Sequence, residues 1–417
     1  MLLHATKVPW SKCRVPKKDR NNLVKNPNIK TYTILGMKKF LAFSFIFVFI
    51  VYLLTSGGKT PYDYFTRLSD SFLHGKIYLE ENPSWLSELI TIRNNKFTFV
   101  NPPMPAVIIA PFRFFFGSNF EQQYMAHIVG AGITVLMMLI SWKVSKNKKI
   151  TIWTGLLTAF GNIIWFLSST GSVWYLGQIT ATFFIAAMLL EYIDKKRPLV
   201  IGFLLSAALL SRLQLLPSLI LFTYLLKPKF DKKGVLKIMI ALSFFVILYS
   251  LYNYFRFGRP WETGYTLIPG ILDEPWFKYG QFSFSYIPKH LKIFLLGLPI
   301  FTNHVPYIFP SWAGMSIWIT TPAFVFAFCA NIKEKIVKQL WVVILLIALI
   351  NFSYGSTGFS QFGYRYAVDF YPFLLFLTIK GATKTGLRWY HWFLLFLSIM
   401  VNLWGVLWIN KFGWVSF

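Results

Sequence analysis

Four side chains that can move protons or hold charged groups recur every three or four residues, which places them on one face of a helix. They are Asp63, Arg67, Asp70 and His74. A carboxylate can take a proton from a hydroxyl group or hold a cation, whereas arginine can hold an anion. Asp63 and Asp70 are therefore the first candidates for a catalytic base. A structural alternative is that Asp63 only pairs with Arg67, and Asp70 with His74, one helical turn apart.

Local signals predict a short helix that carries this charged stripe. Thr60 suits the N-cap, Pro61 the first helical position and Asp63 the acid of a capping box, while Gly75 can end the helix. Apolar side chains lie on the opposite face, at Phe65, Leu68 and Phe72. The segment is therefore expected to be amphipathic and to lie on a bilayer surface or on other helices.

The composition is that of a membrane protein. Hydrophobic residues make up 55% of the 417 residues, aromatic residues 19% and charged residues only 14%. Apolar runs of about 20 residues, each long enough to cross the hydrocarbon core, predict an all-α polytopic fold with about eleven transmembrane helices. Amphipathic juxtamembrane helices are expected in the first outer loop. The predicted spans are 39–56, 121–142, 150–168, 175–193, 198–212, 213–227, 235–254, 313–329, 340–354, 367–380 and 389–409.

The net charge of +27 does not indicate a nucleic-acid partner, because most of the lysines and arginines lie in short loops between apolar runs. Such loops face the cytoplasm. This distribution places the N-terminus in the cytoplasm and predicts a protein of the plasma or inner membrane in contact with membrane lipids. Residues 1–36 form a basic tail expected to be disordered, and Met37 is the expected natural start of a single transmembrane domain, 37–417.

Alternate loops then lie outside, at 57–120, 255–312 and 355–366, and they contain the remaining candidates for chemistry. Arg212, at the outer tip of a shallow helical hairpin, Arg256 and Arg365 are expected there together with the stripe. Arginine suits a phosphate group because its planar fork donates two parallel hydrogen bonds. A structural alternative for Arg365 is an internal ion pair with Asp369, four residues later. Weaker candidates for contact with a substrate or a metal ion are His74, Asp273, Glu274 and His304, whereas Glu88 is expected on the solvated surface.

Some negative observations limit the chemistry. The two cysteines, Cys13 and Cys329, are expected on the reducing cytoplasmic side, so no disulfide framework is predicted. The chain contains no phosphate-binding loop, no glycine-rich dinucleotide turn and no Cys/His metal spacing. A nucleotide-bound substrate is therefore not expected.

Taken together, these segments resemble the GT-C superfamily of integral-membrane glycosyltransferases. The resemblance is to bacterial family-39-type proteins related to protein O-mannosyltransferases and aminoarabinose transferases, over most of residues 38–380. It rests on 63–65 (DYF), 70–76 (DSFLHGK), 101–105 (NPPMP), 252–258 (YNYFRFG), 273–276 (DEPW), 320–322 (TTP) and 362–366 (FGYRY).

The resemblance implies transfer of a sugar from a polyprenyl-phosphate-linked donor to a hydroxyl group of a lipid, glycan or protein acceptor, outside the cytoplasm. It implies a catalytic acid in the first outer loop. Arg67, Arg212, Arg256 and Arg365, or a divalent metal ion, would stabilise the departing lipid phosphate. Relatives often place two adjacent acids at the catalytic position, whereas Tyr64 follows Asp63 here. Asp63 is favoured as the base, and Asp70 stays open.

Two other classes of function remain. A transporter or flippase for a lipid-linked or anionic substrate would also use outer arginines and acids, but it should place charges near the middle of the membrane and contain repeated spans, and no clear repeat is present. A structural membrane scaffold explains the aromatic residues but not the charged outer loops.

Overall fold

The computed structural model describes residues 27–216, 231–358 and 361–414. The chain divides into two compact units, Met1–Ala42 and Phe43–Phe417, and all sites discussed below lie in the second. Cys13, the predicted span 213–227 and most of the predicted tail fall wholly or partly outside the described residues. Cys329 is a free thiol. The predicted domain boundary and the start at Met37 stay predictions.

Long apolar helices dominate the architecture and confirm the predicted all-α polytopic class. In the first half of the chain they are α1 (Pro27–Leu54), α4 (Gln122–Ser145), α5 (Lys148–Phe160), α6 (Ile164–Thr170), α7 (Val173–Ile193) and α8 (Pro198–Leu209). In the second half they are Lys232–Phe257, Lys335–Phe352, Tyr371–Thr385 and Trp389–Asn410. Six described helices are long and apolar enough to cross a membrane. The bent pair α5–α6 adds a seventh, and the count of eleven stays a prediction.

Small residues let these helices approach closely where their backbones cross. A Cβ atom at Gly381 would collide with the carbonyl oxygen of Phe326, and one at Gly405 with the ring of Phe362. Gly381 therefore lies where two helical segments pack without room for a side chain, as is common among membrane helices, and Gly405 lies where the last helix packs against the ring of a loop residue.

The break between α5 and α6 is held by one side chain. The two helices meet at an angle of 50°. Asn162 donates from Nδ2 to the carbonyl oxygens of Leu157 and Thr158, at 2.6 and 3.1 Å, and its Oδ1 accepts from the backbone N–H of Ile164 at 2.9 Å. These bonds satisfy backbone groups that the break would leave without partners.

The first outer loop contains two short helices and a hairpin. They are α2 (Tyr64–Leu73), α3 (Met104–Phe116) and the antiparallel strands β1 (Ile90–Ile92) and β2 (Lys96–Thr98). The apolar face of α2 is buried, whereas the end of α3 exposes Phe114, Phe115 and Phe116. Exposed aromatic side chains next to a span suit the interface between lipid and water, so α3 fits the predicted juxtamembrane helix.

The second outer loop is attached to the end of the last helix. It contains the helix Ile287–Leu296 and the short strands β3 (Ile300–Phe301) and β4 (Ile308–Phe309). The indole Nε1 of Trp408 donates to the carbonyl oxygen of Ile308 at 2.9 Å. This bond holds the strand pair beside the end of Trp389–Asn410.

Candidate active site

The start of α2 is fixed by a glutamine from another helix. Oε1 of Gln122 accepts from the backbone N–H groups of Phe65 and Thr66, at 3.1 and 3.4 Å, and Nε2 donates to the carbonyl oxygens of Tyr62 and Gly171, at 3.0 and 2.8 Å. The side chain of Gln122 is fully buried. It therefore ties together the segment before α2, the first turn of α2 and the turn between α6 and α7.

This arrangement corrects the predicted helix start. The N-cap position is Asp63 rather than Thr60, and the Asp63 side chain makes no capping hydrogen bond. Gln122 supplies the acceptor for the free N–H groups instead. The predicted end is confirmed, because Gly75 follows the helix with a positive φ of 68°. The consequence is that the Asp63 carboxylate is not used as a cap.

We expect replacement of Gln122 by leucine to lower the free energy of unfolding by at least about 2 kcal/mol, because buried N–H and carbonyl groups lose their partners. The unfolding temperature in detergent measures this. The matched control is Gln123→Leu, since the neighbouring Gln123 is also buried but its Oε1 has no hydrogen-bond partner among the described residues. Equal effects of the two substitutions would contradict the assignment.

Asp63 is held in place by one arginine while its second oxygen stays available. Nε of Arg67 donates to Oδ1 of Asp63 at 2.9 Å, and Nη1 of Arg67 reaches Oε2 of Glu81 at 3.1 Å. The Asp63 side chain is 10% exposed. No described residue bonds Oδ2. Arg67 therefore neutralises and orients Asp63, which differs from its predicted contact with the donor phosphate.

Asp70 is committed to an ion pair between the two juxtamembrane helices. Nε and Nη2 of Arg113 donate to its two carboxylate oxygens at 2.7 and 2.5 Å, and Nη1 donates to the carbonyl oxygen of Phe120 at 3.1 Å. The predicted pair between the Asp70 carboxylate and His74 is wrong, because this carboxylate binds Arg113 instead. Nδ1 of the exposed His74 lies 2.8 Å from the backbone oxygen of Asp70. Asp70 thus joins α2 to α3.

Arg212 also has a carboxylate partner, which is Asp369. Its Nη2 and Nε donate to Oδ2 and Oδ1 of Asp369, at 2.9 and 3.3 Å, and Nδ2 of Asn351 donates to Oδ2 at 2.9 Å. Asp369 is fully buried. The sequence left open a pair between Arg365 and Asp369 one turn apart, and the described contacts assign Asp369 to Arg212 instead.

Arg256 fastens the end of the helix Lys232–Phe257 to the first outer loop. Nη1 donates to the carbonyl oxygen of Phe99 at 2.8 Å and to Oγ1 of Thr98 at 3.3 Å, and Nη2 donates to Oδ1 of Asn253 at 2.6 Å. The guanidinium carbon lies 4.0 Å from the ring centre of Tyr252. Most of the guanidinium group of Arg256 thus contacts neutral acceptors or an aromatic ring.

Arg365 and Arg256 are the two predicted arginines without an acidic partner among the described residues, and Arg365 has the fewer side-chain hydrogen bonds. The residue is 7% exposed, its Nη1 has a single long hydrogen bond of 3.4 Å to Oε1 of Gln178, and its Nε has no partner among the described residues. No acidic side chain of the described residues lies within ion-pair distance of it. The guanidinium carbon stands 4.8 Å from the ring centre of Tyr366 and 5.8 Å from that of Tyr175. Burying an uncompensated charge is costly, which indicates a site for an anion.

Glu88 lies at the same site, although the sequence predicted it on the solvated surface. Nε1 of Trp174 donates to its two carboxylate oxygens at 3.0 and 3.2 Å, and its backbone N–H donates to the hydroxyl of Tyr64 at 3.2 Å. Burial raises the pKa of Glu88, while the bond from Trp174 and the positive charge of Arg365 act in the opposite direction. The only local signal, an acid between apolar residues, did not distinguish it from a surface acid.

The remaining candidates do not join this group. Asp273 and His304 are exposed and Glu274 is half-buried, all in the second outer loop. The described residues contain no group of three or more histidine, cysteine or acidic side chains that could hold a metal ion.

The buried His290 contacts Tyr354 and Tyr364, two residues that lie shortly before Arg365 in the chain. Nε2 of His290 lies 2.8 Å from the carbonyl oxygen of Tyr354, and Nδ1 lies 2.6 Å from the hydroxyl of Tyr364. A carbonyl oxygen only accepts, so Nε2 carries the proton and Nδ1 accepts from the tyrosine. Burial, with a smaller effect of Lys289, lowers the pKa of His290 to about 4.

We expect the protein to lose stability as the pH falls from about 6.5 to about 4. In this window the unfolded chain protonates His290 whereas the folded chain does not, so acid favours unfolding by up to about 3 kcal/mol. The effect is absent above pH 7, where both states are neutral. Unfolding temperatures at pH 7.5 and 4.5 measure it, with His290→Gln as the control that cannot titrate. Parallel losses in both proteins would contradict the prediction.

Comparison with known proteins supports the fold. No family model and no curated protein matches the chain. Among solved structures, the chain is similar to ArnT from Cupriavidus metallidurans bound to undecaprenyl phosphate, with a TM-score of 0.55 and 15% identity, over 91% of this chain and 66% of that chain. This chain thus spans just under two thirds of the length of ArnT. At this identity the likeness shows the fold alone.

Proposed function

We propose that the protein is a GT-C-type glycosyltransferase of the plasma or inner membrane. It transfers a sugar from a polyprenyl-phosphate-linked donor to an acceptor hydroxyl group at the extracytoplasmic face. The observation that carries this proposal is Arg365, a buried cation without an acidic partner among the described residues, next to a site with two outer-loop carboxyl groups. The ArnT-like fold and the bound undecaprenyl phosphate of ArnT support the same donor class.

Arg365 holds the donor phosphate in this proposal. A phosphate oxygen accepts from the free Nε and from the weakly bonded Nη groups, which supplies the counter-charge that the described residues do not provide. The site is close to the membrane, so the polyprenyl chain stays in the bilayer while its head reaches the arginine. Of the other predicted phosphate-binding arginines, Arg67 and Arg212 are paired with acids, and the terminal nitrogens of Arg256 donate to neutral acceptors.

Asp63 is the general base. Its Oδ2 takes the proton of the acceptor hydroxyl as that oxygen bonds to the anomeric carbon, and the bond from this carbon to the donor phosphate breaks at the same time. The electron pair leaves with polyprenyl phosphate, whose new negative charge is stabilised by Arg365. The ion pair with Arg67 holds the Asp63 carboxylate in position. Asp70 is less suited, because Arg113 binds both of its oxygens.

Glu88 supports this arrangement from the side of the donor. Its carboxyl group is fixed by Trp174, and its backbone is bonded to Tyr64, the residue after Asp63. This link connects the proposed base with the loop region around Arg365. Glu88 was not among the predicted site residues, and we include it as a positioning residue of the same site.

The proposal is tested with the purified full-length protein in lipid nanodiscs. Undecaprenyl-phosphate-linked mannose, glucose, galactose and aminoarabinose are supplied separately with a total extract of bacterial membrane lipids and glycans. We expect release of undecaprenyl phosphate with at least one donor and covalent transfer of the labelled sugar. Movement of intact donor across the bilayer without cleavage of any donor would instead support the transporter alternative and overturn the proposal.

A further inference from the structure

An open cavity of about 300 Å³ has no role in the proposed mechanism. It is lined by three parts of the chain, namely the segment 57–62 after α1, the region where α6 ends and α7 begins, and the end of Trp389–Asn410. Its volume is at the lower end of the range for small-molecule pockets, about 300–1,000 Å³. Tyr62 from its wall directly precedes Asp63 in the chain.

Aromatic rings form one wall of this cavity. The rings of Tyr62 and Trp174 have centres 4.8 Å apart, and Tyr175 continues the wall. Trp174 also binds Glu88 through Nε1, so the wall is rigidly connected to the active site. The apolar C–H face of a sugar ring packs well on a broad aromatic surface, whereas its hydroxyl groups need polar partners at the ring edge.

Polar but uncharged groups line the other side. Ser172 is 3% exposed and its hydroxyl has no hydrogen-bond partner among the described residues. Oγ1 of Thr170 donates to Oδ1 of Asn410 at 3.0 Å. A buried hydroxyl without a partner is costly, so Ser172 indicates a hydrogen bond that a ligand can supply.

The lining of the cavity contains no unpaired charged side chain, which favours a neutral ligand. Lys59 is the only ionisable side chain of either sign in the lining other than the tyrosines, and its Nζ is bound to Oε1 of Glu121 at 2.6 Å. The Lys59 side chain is 62% exposed, so it lies towards the solvent. This environment differs from that of Arg365, where a cation is buried without an acid.

We propose that this cavity binds a neutral sugar ring, and that the ring belongs to the acceptor. The inference rests on the proposed function and narrows its acceptor from a lipid, glycan or protein to a neutral saccharide, free or lipid-linked. The acceptor assignment follows from position. Tyr62 of the cavity wall is the residue before Asp63, which must contact the acceptor hydroxyl, whereas the donor phosphate is assigned to Arg365. The donor's own sugar has the same chemistry, so the experiment separates the two sources.

The test uses the full-length protein in nanodiscs and saturation-transfer NMR with methyl glycosides of glucose, galactose, mannose and N-acetylglucosamine, each with glycerol 3-phosphate as the anionic comparison. We expect saturation of the ring protons of at least one glycoside and not of glycerol 3-phosphate. Tyr62→Leu removes the aromatic wall and should weaken glycoside binding about tenfold. Tyr62→Phe keeps the ring and should retain binding. Ser172→Ala gives a second, smaller decrease.

Binding of undecaprenyl phosphate is measured on the same proteins. It separates a failure of this inference from a failure of the proposed function. Retained lipid binding together with lost glycoside binding in Tyr62→Leu supports the proposal. Lipid binding without glycoside binding in the wild type, or glycoside binding that Tyr62→Leu leaves unchanged, overturns this inference while the proposed function stands. If saturating undecaprenyl-linked sugar displaces the glycoside, whereas undecaprenyl phosphate does not, the cavity holds the donor sugar and the acceptor assignment is wrong. Absence of any lipid binding would instead count against the proposed function.

Discussion

Replacement of Asp63 by asparagine is expected to lower the rate of sugar transfer by between about a hundredfold and ten-thousandfold, the range typical of a lost general base. Asparagine keeps the size of the side chain and an oxygen for Nε of Arg67. It cannot accept a proton from the acceptor hydroxyl. Because α2 is capped by Gln122 and not by Asp63, the helix should stay folded. The loss should therefore appear in kcat, with the affinity for undecaprenyl phosphate almost unchanged.

Asp70→Asn is the matched control, since it changes the next acid on the same helix. It should break the two-fold ion pair with the half-buried Arg113 and lower the unfolding temperature. The folded fraction should nevertheless keep most of its activity. A large loss of kcat in Asp70→Asn at unchanged stability, with an active Asp63→Asn, would exchange the roles of the two acids.

The sequence was sufficient for the features that depend on short-range pattern. The apolar runs predicted the helical membrane fold, and the four-three-four spacing with Gly75 predicted α2. The fold is similar to that of ArnT, while membership of the GT-C superfamily, the family-39 type, the bacterial origin and the sidedness of the membrane stay predictions. The helical fold and α2 were predictable because hydrophobic periodicity and helix-end residues act within a few positions of one another.

The errors concern partners that are distant in the sequence. Asp63 matched a capping box, but Gln122, 59 positions later, took the cap. Asp369 was placed opposite Arg365 by helical spacing, yet it pairs with Arg212, which is 157 residues away. Local spacing gives only the neighbours within one helix. The choice between a local and a distant partner depends on packing, which a single sequence does not contain.

Glu88 illustrates the same limit for the site itself. In the sequence it is one of several acids in a loop interrupted by Asn82 and Pro83, and such acids are usually solvated. The fold brings Trp174, in the first turn of α7, against its carboxyl group. Only this contact, together with the nearby charge of Arg365, distinguishes it from the exposed Glu80 and Glu81, which pair with Lys76 and Arg67.

Replacement of Arg365 by methionine should weaken the binding of undecaprenyl phosphate by between about tenfold and a hundredfold, because hydrogen bonds to a charged group contribute about 1.5–3 kcal/mol. The guanidinium has one long bond in the described structure, so its main partner in this proposal is the donor phosphate. Arg365→Lys keeps the charge but loses the planar fork, and should recover part of the affinity. Titration of the lipid into nanodisc-embedded protein measures both.

The stability of the ligand-free protein distinguishes this role from a structural one. A buried arginine without an acidic partner costs folding energy, so Arg365→Met should leave the unfolding temperature unchanged or raise it. Arg212→Met is the matched control, because it leaves the buried Asp369 without its cation and should destabilise the protein by about 3–5 kcal/mol. If Arg365→Met instead unfolds the protein while lipid affinity per folded molecule is retained, the arginine is structural. A charge buried without a partner lowers the stability of the free protein, and binding of the matching anion should compensate for that cost. Unchanged lipid affinity in a stable Arg365→Met variant would therefore place the donor phosphate elsewhere.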